Sequence, residues 1–534
     1  MKQFLCVVLL VIICSCHPKL VKINENNSLP GEELAVYFIG DNQFHLSDGM
    51  PTPTENWFSD KLTDVAIRSP QKTIFGPLVF ESFLKSIDQR PLLVHMGDAA
   101  DISCPQEMDR FFHTMKSYSG PWVFIPGNHD GFYTGNSQHK SENTDPWDNA
   151  CLGKRLDKSD VIIAYLSNRF KEPISRDSDC GEALIKGTWG EKGFKHDYVA
   201  KIYPNTDMAN KSFIVQQIRF TKDGVPIRII LIDTAQYHCR PGYIAGFALP
   251  INKIAGVTGE ILADQWKVIE EMLAEKSIED EILYIAGHHP LKKKWYSSHG
   301  LACCDTLKLK KMINKKNVKG YLSAHTHKGG KRTFSKDKYE WNIASFVDWP
   351  IGFSTLSVDK NNKDTYITEI LYDREKTPPG IEGVCADVEC DWKYPYNNFS
   401  AYTSYRNYKL SGHTGRYIQH YLLIAELELI IDTLRKFSPD ENMTGFIKDK
   451  EAVIEEAKAL FDKRVGTKSL YEIKALRFHV NCAEKKLREF YDSADGDLKE
   501  RLNKYCWCQF WWAAKEDAQR QWDIIDITGQ RSEW

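Results

Sequence analysis

The chain lacks an excess of charge of either sign. Its 70 Lys and Arg residues stand against 72 Asp and Glu, a formal net charge of -2, which excludes a general affinity for nucleic acid or an anionic membrane surface. It has no paired CxxC motifs, so its 14 cysteines do not form a zinc framework of that kind. It has no internal repeat, which excludes a solenoid or propeller. Its N-terminal apolar run, Phe4 to Cys14, is too short for an ordinary membrane span. What is present is the makeup of a soluble globular protein, 42% hydrophobic and 27% charged. At 534 residues it is long enough for two or three domains.

The first sixteen residues, MKQFLCVVLLVIICSC, carry one lysine, the apolar run, then Ser15 and Cys16. This pattern suits a secretory signal peptide over residues 1–15. Ile13-Cys14-Ser15-Cys16 resembles a bacterial lipobox, which implies a lipid on Cys16, a polar tether over 16–33, and an exported lipoprotein of the cell envelope, periplasmic or at the outer membrane. Cys14 fits that role less well because Ile13 is bulky. A single N-terminal anchor or an ordinary cleaved signal is the alternative, and each places the folded part outside the cytoplasm. Eleven cysteines then remain, an odd number that leaves one thiol free or bonded to another molecule. Cys385 and Cys390 suit a small loop. Bridges within Cys303-Cys304 or Cys506-Trp507-Cys508 would be strained, so most cysteines read as core residues or longer-range disulfides.

Short β-rich runs alternate with helical segments from residue 34 to 372, as in a layered α and β domain. Strands are expected at 35–39, 92–96, 122–126, 213–220, 227–232, 282–286, 320–323, 341–346, 353–358 and 365–372. Helices are expected at 79–87, 106–116, 260–274 and 306–313. Residues 48–70 read as a surface loop. Residues 131–212 have little periodicity and read as loops and short helices that cover the strand ends and select the substrate. Residues 373–414 read as a linker, and 415–534 as a helical C-terminal region with apolar stripes. CWCQFWW at 506–512 reads as a buried helix-packing cluster, with a membrane-facing patch as the alternative.

Five of the strands end in groups that bind metals well: Gly40-Asp41-Asn42-Gln43, Gly97-Asp98 followed by Asp101, Gly127-Asn128-His129-Asp130, Gly287-His288-His289-Pro290, and Ala324-His325-Thr326-His327. Seven of the sixteen histidines lie in or near these five stretches. In order and type the motifs resemble the signature of the calcineurin-like metallophosphoesterases, the superfamily that includes the purple acid phosphatases. The resemblance covers roughly residues 35–372. It implies a four-layer αββα sandwich, here with an additional α-helical C-terminal domain.

The resemblance further implies a dinuclear site for two divalent or trivalent transition-metal ions. Mixed imidazole and oxygen ligands suit manganese, iron or zinc better than calcium. Asp98 is the implied bridge, with Asp41 and His327 on the first metal and Asn128, His288 and His325 on the second. The usual first motif is Asp-x-His. Here Gln43 occupies the histidine slot and is the favoured ligand, with His45 as the alternative. His289 is a neighbour of the second metal. His129, followed by Asp130, resembles the family histidine that contacts the phosphate and protonates the leaving oxygen, and Asp101 resembles the carboxylate that orients the site's histidines. His129, Asp130 and Asp101 make up the catalytic set.

The implied activity is hydrolysis of phosphate monoesters of small molecules by a metal-activated hydroxide. A phosphodiesterase or nucleotide pyrophosphohydrolase of the envelope is the alternative within enzymes. A metal-stabilised surface lipoprotein that binds a partner is the alternative outside them. Lys292-Lys293-Lys294 reads as a solvated run, and Trp349-Pro350 as packing or as one wall of the site.

Overall fold

The computed structural model describes residues 21–24, 35–45, 69–87, 90–101, 103–131, 156–170, 182–191, 193–203, 211–236, 242–244, 247–249, 258–291, 300–315, 318–348, 351–359, 364–372, 414–438, 441–463 and 470–528. The lipobox, the Cys385–Cys390 loop, the Lys292 run, Trp349-Pro350 and the 373–413 linker lie outside the described residues.

The strands of the two main sheets are β1 (Val21–Asn24), β2 (Val36–Ile39), β3 (Leu92–His95), β4 (Trp122–Phe124), β5 (Ala183–Glu191), β6 (Phe194–Ile202), β7 (Phe213–Lys222), β8 (Val225–Ile232), β9 (Ile282–Gly287), β10 (Val318–Ser323), β11 (Lys328–Ser335), β12 (Lys338–Ala344), β13 (Ile351–Val358) and β14 (Thr365–Tyr372). The helices are α1 (Pro70–Ser86), α2 (Pro105–Met115), α3 (Lys158–Phe170), α4 (Ala263–Ala274), α5 (Cys303–Lys315), α6 (Thr414–Phe437), α7 (Glu441–Lys463), α8 (Leu470–Ser493) and α9 (Gly496–Thr528).

Two sheets face each other. The larger runs β1-β5-β6-β7-β8-β9-β10-β12-β11, and the smaller β14-β13-β2-β3-β4. Between them lies an apolar core that includes Phe38, Val94 and Val123 from the small sheet and Ile229, Tyr284, Leu322 and Ile343 from the large one. A second core joins the outer face of the large sheet to α4 and α5 through Ile230, Ile232, Trp266, Ile269 and Leu309. A third joins the outer face of the small sheet to α1, α2, α3 and the four C-terminal helices. The order is therefore αββα, with further helices packed on the small-sheet side.

Within each sheet the strands that carry motifs run parallel: β2, β3 and β4 in one, β8, β9 and β10 in the other. Parallel strands present all their carboxyl ends at one edge, and these two edges meet at the same end of the sandwich.

Several elements differ from the sequence reading. Helix α1 starts at Pro70, well before residue 79, and contains Gly76 and Pro77. It is buried over almost its whole length, so no polar face marks its period. Gly76 faces α9, where a β-carbon would make an ordinary contact of 3.4 Å with the Phe510 ring. The 131–212 stretch is not only loops and short helices: it supplies the β5–β6 antiparallel hairpin of the large sheet. Its inward residues Phe194, His196, Tyr198, Ala200 and Ile202 alternate regularly, and the inward histidine disguises that alternation. Edge strand β11, KGGKRTFS, is too polar and exposed to show a pattern.

The C-terminal cluster is buried: Trp507 is 1% exposed and meets Tyr372 of β14 edge-on at 5.5 Å. Cys104 and Cys508 are each disulfide-bonded, while Cys304, Cys482 and Cys506 are free thiols. Among the described residues no helix is long and apolar enough to cross a membrane.

Candidate metal centre

The strand ends turn sharply as they leave the sheets. Asp41 (φ 51°), Gln43 (38°), Asp98 (55°), His325 (71°) and His327 (61°) all hold left-handed backbone. That conformation is uncommon for residues with a side chain, and five instances in one place mark a backbone held against its preference to aim side chains. Glycines make the crowding possible. A β-carbon on Gly97 would lie 2.6 Å from the Gly127 nitrogen, and one on Gly127 would lie 2.1 Å from Asp98 Oδ1. The Gly97-Asp98 and Gly127-Asn128 turns can therefore pack against each other.

Four ligand atoms converge at one point. His325 Nδ1 lies 2.8 Å from Asn128 Oδ1 and 3.3 Å from His288 Nε2. His288 Nε2 lies 3.0 Å from Asn128 Oδ1 and 3.3 Å from Asp98 Oδ2. Two ligands at about 2.1 Å from a shared ion and at right angles are about 3 Å apart, so these spacings suit a common cation. The other nitrogen of His288, Nδ1, is 2.9 Å from the Met96 carbonyl. A donor there fixes the tautomer and leaves Nε2 as a lone pair.

A second group also lies beside Asp98. Asp41 Oδ1 is 3.8 Å from His327 Nε2, and the Gln43 amide is 3.4 Å from Asp98 Oδ2. His327 Nδ1 is 2.6 Å from Asp348 Oδ2, which again leaves Nε2 toward the site. His45 points elsewhere: its Nδ1 is 2.9 Å from Asp101 Oδ2 and 3.8 Å from Glu107 Oε1. The structure thus brings Gln43, and not His45, to the cluster.

His129 sits beside both groups. Its backbone N–H donates to Asp98 Oδ1 at 2.9 Å, its Nδ1 is 2.5 Å from the Asp101 carbonyl, and its Nε2 is 3.9 Å from Asp98 Oδ2. Asp101 orients two histidines, His45 by its carboxylate and His129 by its backbone oxygen. Asp130 lies beneath the turns. Its Oδ1 accepts the N–H groups of Ala99 and Ala100, and its Oδ2 that of Gly127, each at 2.9 Å. Asp130 ties two motif turns together and stands outside the ligand cluster.

The electrostatics fit a cation site. Burial pushes Asp41 up to about 6, against the pull of His327 and His288. Burial also opposes the charge on Asp98, yet His288 and His129 hold its carboxyl well below the usual range. Burial opposes protonation of His288, but Asp98 and Asp41 bring it up to about 9. Asp41 Oδ1 is buried without a hydrogen-bond partner, a costly arrangement for a carboxylate oxygen unless a cation meets it. Two overlapping sets of ligand-bearing residues, Asp41-Asp98-His288 and His288-His289-His325, are each spaced to hold an ion. The imidazole and carboxylate donors present fit a metal centre.

Residues 34–170 match the family described as calcineurin-like phosphoesterase. That stretch is similar to the family, and the likeness points to a phosphoester hydrolase. No curated protein matches the chain by sequence. Solved structures similar to it include a dimetal phosphatase from Danio rerio, 13% identical over 64% of this chain and 99% of that one, with a TM-score of 0.33. A purple acid phosphatase from yellow lupin (Lupinus luteus) seeds is 12% identical over 65% of this chain and 55% of its own, TM-score 0.29. GAP50, the anchor in the inner membrane complex of Plasmodium, is 12% identical over 64% and 90%, TM-score 0.27.

Two residues of the site escaped the sequence reading or were placed at its margin. Asp348 follows β12 in a stretch with no metal motif, and only the fold brings it to His327. His289 is fully buried with its ring centroid 4.6 Å from that of His325, and its Nδ1 is 2.9 Å from Thr234 Oγ1. Thr234, just beyond the end of β8, supplies that contact.

Proposed function

We propose that the chain hydrolyses phosphate monoesters at a dinuclear metal centre of manganese, iron or zinc. In this reading Asp41, Gln43 and His327 hold the first ion, Asn128, His288 and His325 the second, and Asp98 lies between them. The observation that carries the reading is the convergence of His288 Nε2, His325 Nδ1, Asn128 Oδ1 and Asp98 Oδ2, with neighbouring atoms 2.8 to 3.3 Å apart. Two cations bound there would polarise the phosphoryl oxygens and lower the pKa of a water to about 7.

The chain's own residues do the rest. The Asp101 carbonyl holds His129 Nδ1, so Nε2 faces the cluster and can give a proton to the leaving oxygen, an effect of about 10²- to 10⁴-fold. His129, His325 and His327 are the cluster residues that reach solvent. A terminal phosphoryl group can meet them while the remainder of the ester stays outside, which favours a monoester. Asp130 and Asp101 act by position, through the backbone turns and through His129.

The test is turnover of an aryl phosphate monoester and the matching diester by the full chain, with each metal, beside Asp98→Ala and His129→Ala. Metal-dependent monoester turnover, lost in Asp98→Ala and reduced in His129→Ala, is the expected result. Preference for the diester would overturn the monoester assignment. We also propose export and lipid anchoring at Cys16, supported by the lipobox-like leader. Cys16→Ser then moves the protein out of the membrane fraction, and a variant that stays there contradicts the anchor.

A further inference from the structure

Asp348 is gripped from two sides. Its Oδ2 accepts from His327 Nδ1 at 2.6 Å, and its Oδ1 accepts from Lys72 Nζ at 2.7 Å. The Lys72 side chain is only 2% exposed, although lysine is rarely buried without a partner of opposite charge. The loop that carries Asp348 is fixed as well. Ser345 Oγ donates to the Asp41 carbonyl at 2.8 Å and accepts the N–H groups of Val347 and Asp348 at 3.0 and 3.1 Å. The backbone of Asp41 and the imidazole of His327 are thereby tied to one short loop.

We propose that Lys72 is a positioning residue which, through Asp348, holds His327 in place for the first metal position. The inference rests on the metal-centre reading above. A carboxylate behind a ligating imidazole fixes its tautomer and its ring orientation. That carboxylate, its side chain 21% exposed, must itself be fixed, and its charge balanced by a partner. Lys72 supplies both from the first turn of α1. The cation also keeps Asp348 on the far side of the imidazole, where it supports the ligand without competing for the metal.

The device also gives the C-terminal helices a bearing on the metal centre. Helix α1 packs against α9, with the rings of Phe75 and Tyr505 6.0 Å apart and Gly76 beneath Phe510. Arg488 of α8 pairs with Glu81 of α1. The helix that delivers Lys72 is thus held on its other face by the C-terminal region.

The experiment is a manganese titration of the full chain, with metal content read by mass spectrometry and spin coupling by electron paramagnetic resonance, for wild type, Lys72→Met and Asp348→Asn. Wild type is expected to hold two coupled ions. Each variant is expected to bind one of them about 10- to 100-fold more weakly, so the coupled signal gives way to a mononuclear one while one ion remains. Asp348→Asn is nearly isosteric and keeps the test valid if the loss of Lys72 impairs folding. Variants that hold two coupled ions at wild-type affinity would overturn this proposal alone. A wild type that binds no pair of ions would overturn the metal-centre reading, and this proposal with it.

Discussion

Gly127 lies directly against Asp98, so closely that a β-carbon at 127 would stand 2.1 Å from the Asp98 Oδ1 and 2.5 Å from its backbone nitrogen. The carboxylate between the two proposed ion positions therefore depends on the absence of a side chain in the neighbouring turn. Gly127→Ala is expected to turn Asp98 away and weaken metal binding by about 10- to 100-fold, the usual effect of disturbing a ligand's support. Isothermal titration with manganese measures it, and unchanged affinity would show that Asp98 is not a ligand.

Two buried histidines give the fold a sensitivity to acid. Burial holds both His95 and His196 down to about 3. His95 bonds Asn42 and the Gly97 N–H, and His196 bonds Gln216. Both belong to the framework and not to the ligand set. The unfolded chain binds protons near pH 6.5, so the unfolded state takes up protons first. The contribution of each histidine is complete above about pH 6.5 and is lost as pH falls toward 3, with a slope approaching about 1.4 kcal/mol per pH unit. Urea unfolding of wild type and His196→Gln, without added metal, should give stability curves that converge as pH falls through this window. Parallel curves would contradict the assignment.

The C-terminal helices share a core with the small sheet. Trp507 of α9 meets Tyr372 of β14 and Phe346 after β12, and Trp511 Nε1 donates to the Tyr372 carbonyl at 3.3 Å. Trp507→Ala is expected to cost about 3–5 kcal/mol and to lower the stability of sheet and helices together. Unfolding followed by helix dichroism and by tryptophan fluorescence should give one coincident transition. Two separated transitions would mean that the helices fold on their own.

Much of this was legible in the residues. Each motif stands at the end of an apolar β-rich run, because parallel strands gather their carboxyl ends at one edge, and the proposed ligands Asp41, Asp98, Asn128, His288 and His325 all follow that rule. The choice of Gln43 over His45 was not settled by sequence. It depends on Asp101 and on Glu107 of α2, which draw His45 away from the cluster. Asp348 was invisible for the same reason, since its partners Lys72 and His327 are far from it in the chain. The β5–β6 hairpin had a period of two, but His196 stands where an apolar residue would have made it plain. Helix α1 was cut short in the reading by Gly76 and Pro77, which punctuate most helices yet here lie buried within one.

The most direct test of the dinuclear hydrolase is phosphate release from an aryl monoester, followed as metal is stripped from the purified full chain by a chelator and then returned in counted equivalents. Turnover is expected to disappear with the metal and to return fully only as the second equivalent of manganese, iron or zinc is bound. Turnover that survives complete removal of metal, or that is absent from folded protein holding two ions per chain for every ester supplied, would contradict the dinuclear hydrolase.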